Sequence, residues 1–118
     1  MRFLMMTTDD NASAGNPPDE RMMAEMGRFI EEMSRAGVLL ATGGLDPRAI
    51  HIESSGGKIT VTDGPYAEAK EVVVGFALIE TRTKEEAIEL SRRFWQIVGD
   101  GKGVIQQVFG PEDLQAGR

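Results

Sequence analysis

The segment best equipped for chemistry is Asp63-Gly64-Pro65-Tyr66-Ala67-Glu68-Ala69-Lys70-Glu71. Within it stand a carboxylate (Asp63), a phenol (Tyr66), a second carboxylate (Glu68) and an ammonium (Lys70). Asp63 or Glu68, if burial raised its pKa, would serve as a general base, with Lys70 or Tyr66 stabilising an oxyanion. Gly64 would let the backbone come close to a ligand. The same residues also spell a turn. Asp63 caps free backbone N–H groups, Gly64 takes a conformation that other residues avoid, and Pro65 opens a short helical turn. Turn chemistry of this kind is common and is the leading reading; Asp63, Glu68 and Lys70 stand as catalytic candidates beside it. Asp63, Gly64, Pro65 and Tyr66, together with Met26 and His51, are the candidate ligand contacts.

His51 is the chain's single histidine. It alternates with Ile50 and Ile52, which places it on the polar side of a strand with Glu53, and the expectation is an exposed strand histidine rather than a proton carrier. Arg48 is expected at the surface. With one histidine, the chain has no His-pair metal motif and no ordinary Ser-His-Asp arrangement of its own. Cysteine is absent, which removes disulfides, thiolate nucleophiles and cysteine-held metals. No metal and no cofactor is expected. Neither Thr42-Gly43-Gly44 nor the glycines of 99–103 fits a phosphate-binding loop, since no helix with a Lys-Ser/Thr pair follows.

The chain of 118 residues is one domain, 1–118, with a polar tail from about 111. Apolar residues make up 41% and charged residues 27%, the balance of a globular protein. Thirteen basic against nineteen acidic residues give a net charge of −6, which disfavours nucleic acid and anionic membrane as partners. Residues 3–6 are too few for a signal-peptide core, and no apolar run approaches the ~20 residues of a membrane span. A cytoplasmic location is expected.

Phe3 to Thr7 reads as a first strand. A helix opens at Pro17-Pro18-Asp19-Glu20 and runs to about Ala36, its apolar stripe made by Met22, Met26, Phe29, Ile30 and Met33. Arg21/Glu25, Arg28/Glu32 and Glu31/Arg35 stand four apart on its wet side. Gly37 sits where a left-handed cap belongs. Val38 to Thr42 is a buried strand. Ile50 to Glu53 and Lys58 to Thr62 alternate around Ser54-Ser55-Gly56-Gly57, a hairpin. Residues 72–79 form the longest β-branched run and belong in the middle of the sheet. Thr83-Lys84-Glu85-Glu86 is a capping box opening a second helix. That helix faces inward with Ala87, Ile88, Ser91, Phe94, Trp95 and Val98. Val104 to Phe109 is the last strand.

Without the hairpin the order is βαββαβ, an α+β, ferredoxin-like arrangement with two helices on one face of an antiparallel sheet. Strands with near-continuous apolar runs are apolar on both sides, so the second face needs a cover. The same face of a second copy is the simplest one, and a homodimer through the open sheet face is expected.

The loop string Val61 to Glu71, with Asp63-Gly64-Pro65-Tyr66 at its centre, resembles the signature of DGPF-type proteins within the YCII-related family. Tyr66 and Ala69 stand where those proteins usually have phenylalanine and threonine. Leu40-Ala41-Thr42-Gly43-Gly44-Leu45 and Gly75-Phe76 add to the likeness, which spans roughly residues 1–110. The resemblance implies a bacterial, ferredoxin-like subunit that pairs sheet to sheet as a dimeric α+β barrel. It also implies that some relatives use a His–Asp pair in a cleft, one as a dehydrochlorinase on a chlorinated hydroxyhydroquinone. Others are tied to extracytoplasmic-function sigma factors. The family's helical histidine falls eleven residues before the glycine matching Gly37, where this chain has Met26, so that catalytic base is not carried over.

Three functions follow as expectations. The first is a small-molecule-binding homodimer with a cleft between the first helix, the hairpin and the 63–70 loop. The second is a cofactor-free enzyme on a small aromatic or carbonyl compound. The third is a regulatory interaction module.

Overall fold

The computed structural model describes residues 1–9, 19–46, 48–63 and 72–115. Six strands and three helices follow in the order β1 (Arg2–Asp9), α1 (Glu20–Arg35), β2 (Leu39–Gly44), β3 (Ile50–Ser55), β4 (Lys58–Asp63), β5 (Val72–Glu80), α2 (Lys84–Val98), β6 (Lys102–Val108) and α3 (Pro111–Gln115).

Helix ends form where side chains satisfy free backbone groups. Asp19 caps α1 by accepting from the Met22 N–H at 2.8 Å, and Pro17 and Pro18 lie outside the described residues. At the other end Gly37 takes φ 76°, and the N–H groups of Gly37 and Val38 donate to the carbonyls of Ser34 and Met33. These two bonds make a Schellman cap, which needs a residue without a Cβ penalty at that position. Thr83 Oγ1 accepts from the Glu86 N–H at 3.1 Å, as the capping box requires. The reciprocal half is displaced by one residue: Glu86 Oε1 accepts from the Arg82 N–H at 3.1 Å, because Glu86 also holds the Arg82 guanidinium. The expected polar tail carries α3, whose Asp113 side chain accepts from the Gly110 N–H at 2.8 Å.

Strands β2-β5-β1-β6 make one antiparallel sheet in that order, consistent with a ferredoxin-like fold, and β5 lies inside it as expected. Hairpin β3–β4 is a separate two-stranded ribbon turning on Gly56 and Gly57, with φ 58° and 80°. Two positive φ values in a two-residue turn are what a right-twisted hairpin needs.

The register divides the sheet into two faces. Phe3, Ile79 and Leu39 share a row beneath the helices and pack with Ala87 and Leu90 of α2. Among the described residues only Phe3, Met33, Ile79, Ala87 and Thr81 are buried. The opposite face presents Leu4, Met6, Phe76 and Leu78, half-buried, and Val104, which is 49% exposed. No helix among the described residues is long and apolar enough to cross a membrane.

Candidate functional site: a hollow above a row of glycines

Cross-strand neighbours on the helix face form three rows whose side chains shrink from one end of the sheet to the other. The first is Leu39, Ile79, Phe3 and Gln107; the second is Thr42, Ala77, Met5 and Ile105. The third is Gly44, Gly75, Thr7 and Gly103, one residue from each of the four strands. Three of its four members have no side chain, so the gap between sheet and helices is filled at one end and empty at the other.

That end holds a cavity of about 300 Å³. Met26, Phe29 and Met33 of α1 and Phe94 and Trp95 of α2 line it above, with Ala77 and Ile105 among the strand residues below. Phe94 and Trp95 meet edge to face, ring centroids 5.1 Å apart. The glycines are required by what surrounds them. A Cβ at Gly103 would overlap the Met6 carbonyl oxygen and press on the Trp95 ring, and one at Gly75 would come to 2.9 Å from Thr7 Oγ1. Gly101 seats the indole in the same way, a Cβ there falling 2.6 Å from Trp95. Gly101 and Gly103 therefore make room for one aromatic ring.

The lining is largely apolar; its residues with polar side-chain groups, among those described, are Thr7, Thr42, Ser91 and Trp95 through its indole N–H. Thr42 Oγ1 donates to the Phe76 carbonyl at 2.9 Å. Neither a carboxylate nor a basic side chain is among the lining residues described. Such a surface holds an apolar molecule by shape and burial, with at most a few hydrogen bonds to orient it.

An ion pair holds the roof. Arg93 of α2 donates through both terminal nitrogens to Glu32 of α1, at 2.9 and 3.1 Å, and its guanidinium stands 4.9 Å above the Phe29 ring. The hydrogen bond from Arg93 pulls the Glu32 pKa below the ordinary 4.5, and the same bond raises that of Arg93. The sequence pairs Glu32 with Arg28 within one helix; the fold gives it to Arg93 instead. The i,i+4 pairs Arg21–Glu25 and Glu31–Arg35 form as expected, at 3.6 and 3.0 Å.

The residues singled out from sequence are divided by the structure. Met26 lines the cavity. Asp63 pairs with Ile50 and His51 with Thr62 in the hairpin register, so Asp63 and His51 lie on opposite faces of the ribbon. His51 is half-buried, with Nε2 shielded from solvent, which corrects the expectation of an exposed histidine. Gly64, Pro65, Tyr66, Glu68 and Lys70 lie outside the described residues. Among the described residues, none from the hairpin lines the cavity. The sequence places Phe94 and Trp95 on an inward helix face but gives no local sign of the hollow, because Gly44, Gly75 and Gly103 are far apart in the chain. The signal present in the sequence is glycine in three strands: Gly43 and Gly44 in β2, Gly75 in β5 and Gly103 in β6.

Fold and hollow together define a two-layer α+β protein with a partly open apolar hollow of ligand size. The chain belongs to the YCII-related family: the YCII-related domain matches residues 1–97. It is also 36% identical over 76 residues to an uncharacterised protein of Rhizobium meliloti (strain 1021). That match covers 63% of this chain and 61% of the relative.

Proposed function

We propose that this protein is a small-molecule-binding homodimer of the DGPF type, which takes an apolar, flat ligand into the hollow between α1, α2 and the glycine row. One observation carries the reading: three strands give up their side chains at the same level of the sheet. Protein interiors rarely keep voids larger than a water molecule. The hollow is partly open, and its apolar lining lacks the packing contacts of a filled interior. A bound apolar molecule restores those contacts, and about 300 Å³ is the lower end of the range of ligand pockets. Edge and face of Phe94, Trp95 and Phe29 favour an aromatic ring.

The homodimer is supported by the other face of the sheet. Leu4, Met6, Phe76, Leu78 and Val104 form an apolar surface with no helix over it, and the same surface of a second copy matches it by symmetry.

Trp95 is the chain's single tryptophan and it lines the cavity, so its fluorescence reports occupancy directly. Titration with 2-naphthol is expected to change Trp95 emission saturably, and light scattering of the free protein to give twice the chain mass. Absence of any saturable change up to millimolar 2-naphthol would sink the binding reading. A monomer mass at micromolar concentration would sink the dimer.

A further inference from the structure

Hairpin β3–β4 puts four β-branched side chains on one face. Ile52 is opposite Val61 in the register, with Ile50 and Ile59 on the same side, and they are 65%, 69%, 68% and 62% exposed for Ile50, Ile52, Ile59 and Val61. His51, Glu53, Lys58, Thr60 and Thr62 occupy the other face. Ser54 and Asp63 stand at the two ends of that apolar face. Alternation of this kind is the mark of a half-buried strand pair, yet its apolar side is in water.

A two-stranded ribbon alone is marginally stable, and it needs a surface to pack against. The main sheet does not supply it: among the described residues β3 and β4 pair only with each other. The dimensions agree. The chain measures 49 × 43 × 19 Å, the thickness of one helix layer on one sheet, and its radius of gyration is 16.9 Å against about 13.5 Å for a compact domain of this length.

We infer that hairpin β3–β4 is an intersubunit arm, which lays the face of Ile50, Ile52, Ile59 and Val61 on a second copy of this chain. The inference rests on the sheet-to-sheet dimer proposed above and adds to it the element that completes the interface. The arm offers on the order of 500 Å² of apolar surface, the upper end of what a monomer leaves bare. A standard interface buries about 800 Å² from each partner. At about 500 Å² the arm alone falls short of that area, so a stable pair would need the arm and the sheet face together. In a two-fold pair each arm meets the same surface of the other copy, so one apolar face serves twice. Glu53, Lys58, Thr60 and Thr62 on the other face then remain toward water.

Sedimentation equilibrium on three proteins tests this: the wild type, an arm variant Ile52→Thr/Ile59→Thr/Val61→Thr, and Thr60→Lys on the polar face. Threonine keeps the β-branched shape that strands favour, so the ribbon itself is preserved. Matching circular dichroism spectra check this. The arm variant is expected to raise the dimer dissociation constant at least tenfold, and Thr60→Lys to change it less than threefold. A dimerising wild type whose constant the arm variant leaves unchanged overturns the arm, and leaves the sheet-face dimer standing. Equal weakening by Thr60→Lys overturns the assignment of the apolar face. A monomeric wild type overturns arm and dimer together. The chain has no cysteine, so Ser55→Cys, beside the hairpin turn and on the face opposite Ile52, can carry a spin label cleanly. A label on a docked arm is expected to give one narrow intermolecular distance, and a broad distribution without a preferred distance counts against docking.

Discussion

Arg93 and Glu32 are 61 residues apart in the chain and joined by two hydrogen bonds, at 2.9 and 3.1 Å, across the tops of α2 and α1. The pair spans the two helices that roof the hollow, and the Arg93 guanidinium also covers Phe29, a lining residue. A charge pair at the surface therefore joins the two helices that roof the hollow.

Acid should loosen this roof. Glu32 is held below its ordinary pKa of 4.5 chiefly by the hydrogen bond from Arg93, and Glu86 below it chiefly by the Arg82 backbone N–H. A carboxylate with a lowered folded pKa adds stability that is fully present above 4.5 and lost as pH falls through the folded value. Thermal melts from pH 7 down to pH 3 are expected to show stability falling below about pH 4.5. Glu32→Gln should flatten part of that slope. An unchanged slope in Glu32→Gln would show that the clamp contributes nothing.

Filling the hollow should stabilise the protein and end its use. Ala77 stands in the middle row of the sheet, half-buried, and lines the cavity. Ala77→Met adds three heavy atoms into the void, and cavity filling of this kind commonly gains about 0.5–2 kcal/mol. The expected result is a higher melting temperature with loss of the 2-naphthol response of Trp95. A variant that is stabilised and still binds would place the ligand elsewhere.

The glycine row should resist side chains unequally. Gly103→Ala forces a Cβ against the Met6 backbone, which has no free movement within the sheet, and a loss of about 3 kcal/mol is expected in urea unfolding. Gly75→Ala meets only the Thr7 hydroxyl, which can rotate, and should cost about 1 kcal/mol. Equal costs would mean that the strands shift to accept either methyl.

The cap of α2 is testable by itself. Thr83→Ala leaves the Glu86 N–H without its 3.1 Å acceptor and is expected to cost about 1 kcal/mol. Thr83→Ser should recover most of it, because serine offers the same oxygen.

Local chemistry was legible in the residues. Asp19, Gly37, Thr83 and the Gly56-Gly57 turn mark element ends through bonds made within a few positions, so spacing alone locates them. The stripe of α1 was legible for the same reason, and Met26 reached the candidate list and then the cavity wall. The displaced half of the capping box and the partner of Glu32 were not. Each was decided by a competing charge, Arg82 in one case and Arg93 in the other.

What this sequence determined by itself is periodicity and punctuation: which residues alternate, which repeat every three or four, and where the backbone must turn. These are local properties of the chain and fix the elements and their order. Only the tertiary structure decided which residues became neighbours across strands. The register set Gly44, Gly75, Thr7 and Gly103 side by side and opened the hollow, and it left Ile50, Ile52, Ile59 and Val61 in water. Register is a property of the whole sheet, since a one-residue slip turns every side chain to the other face.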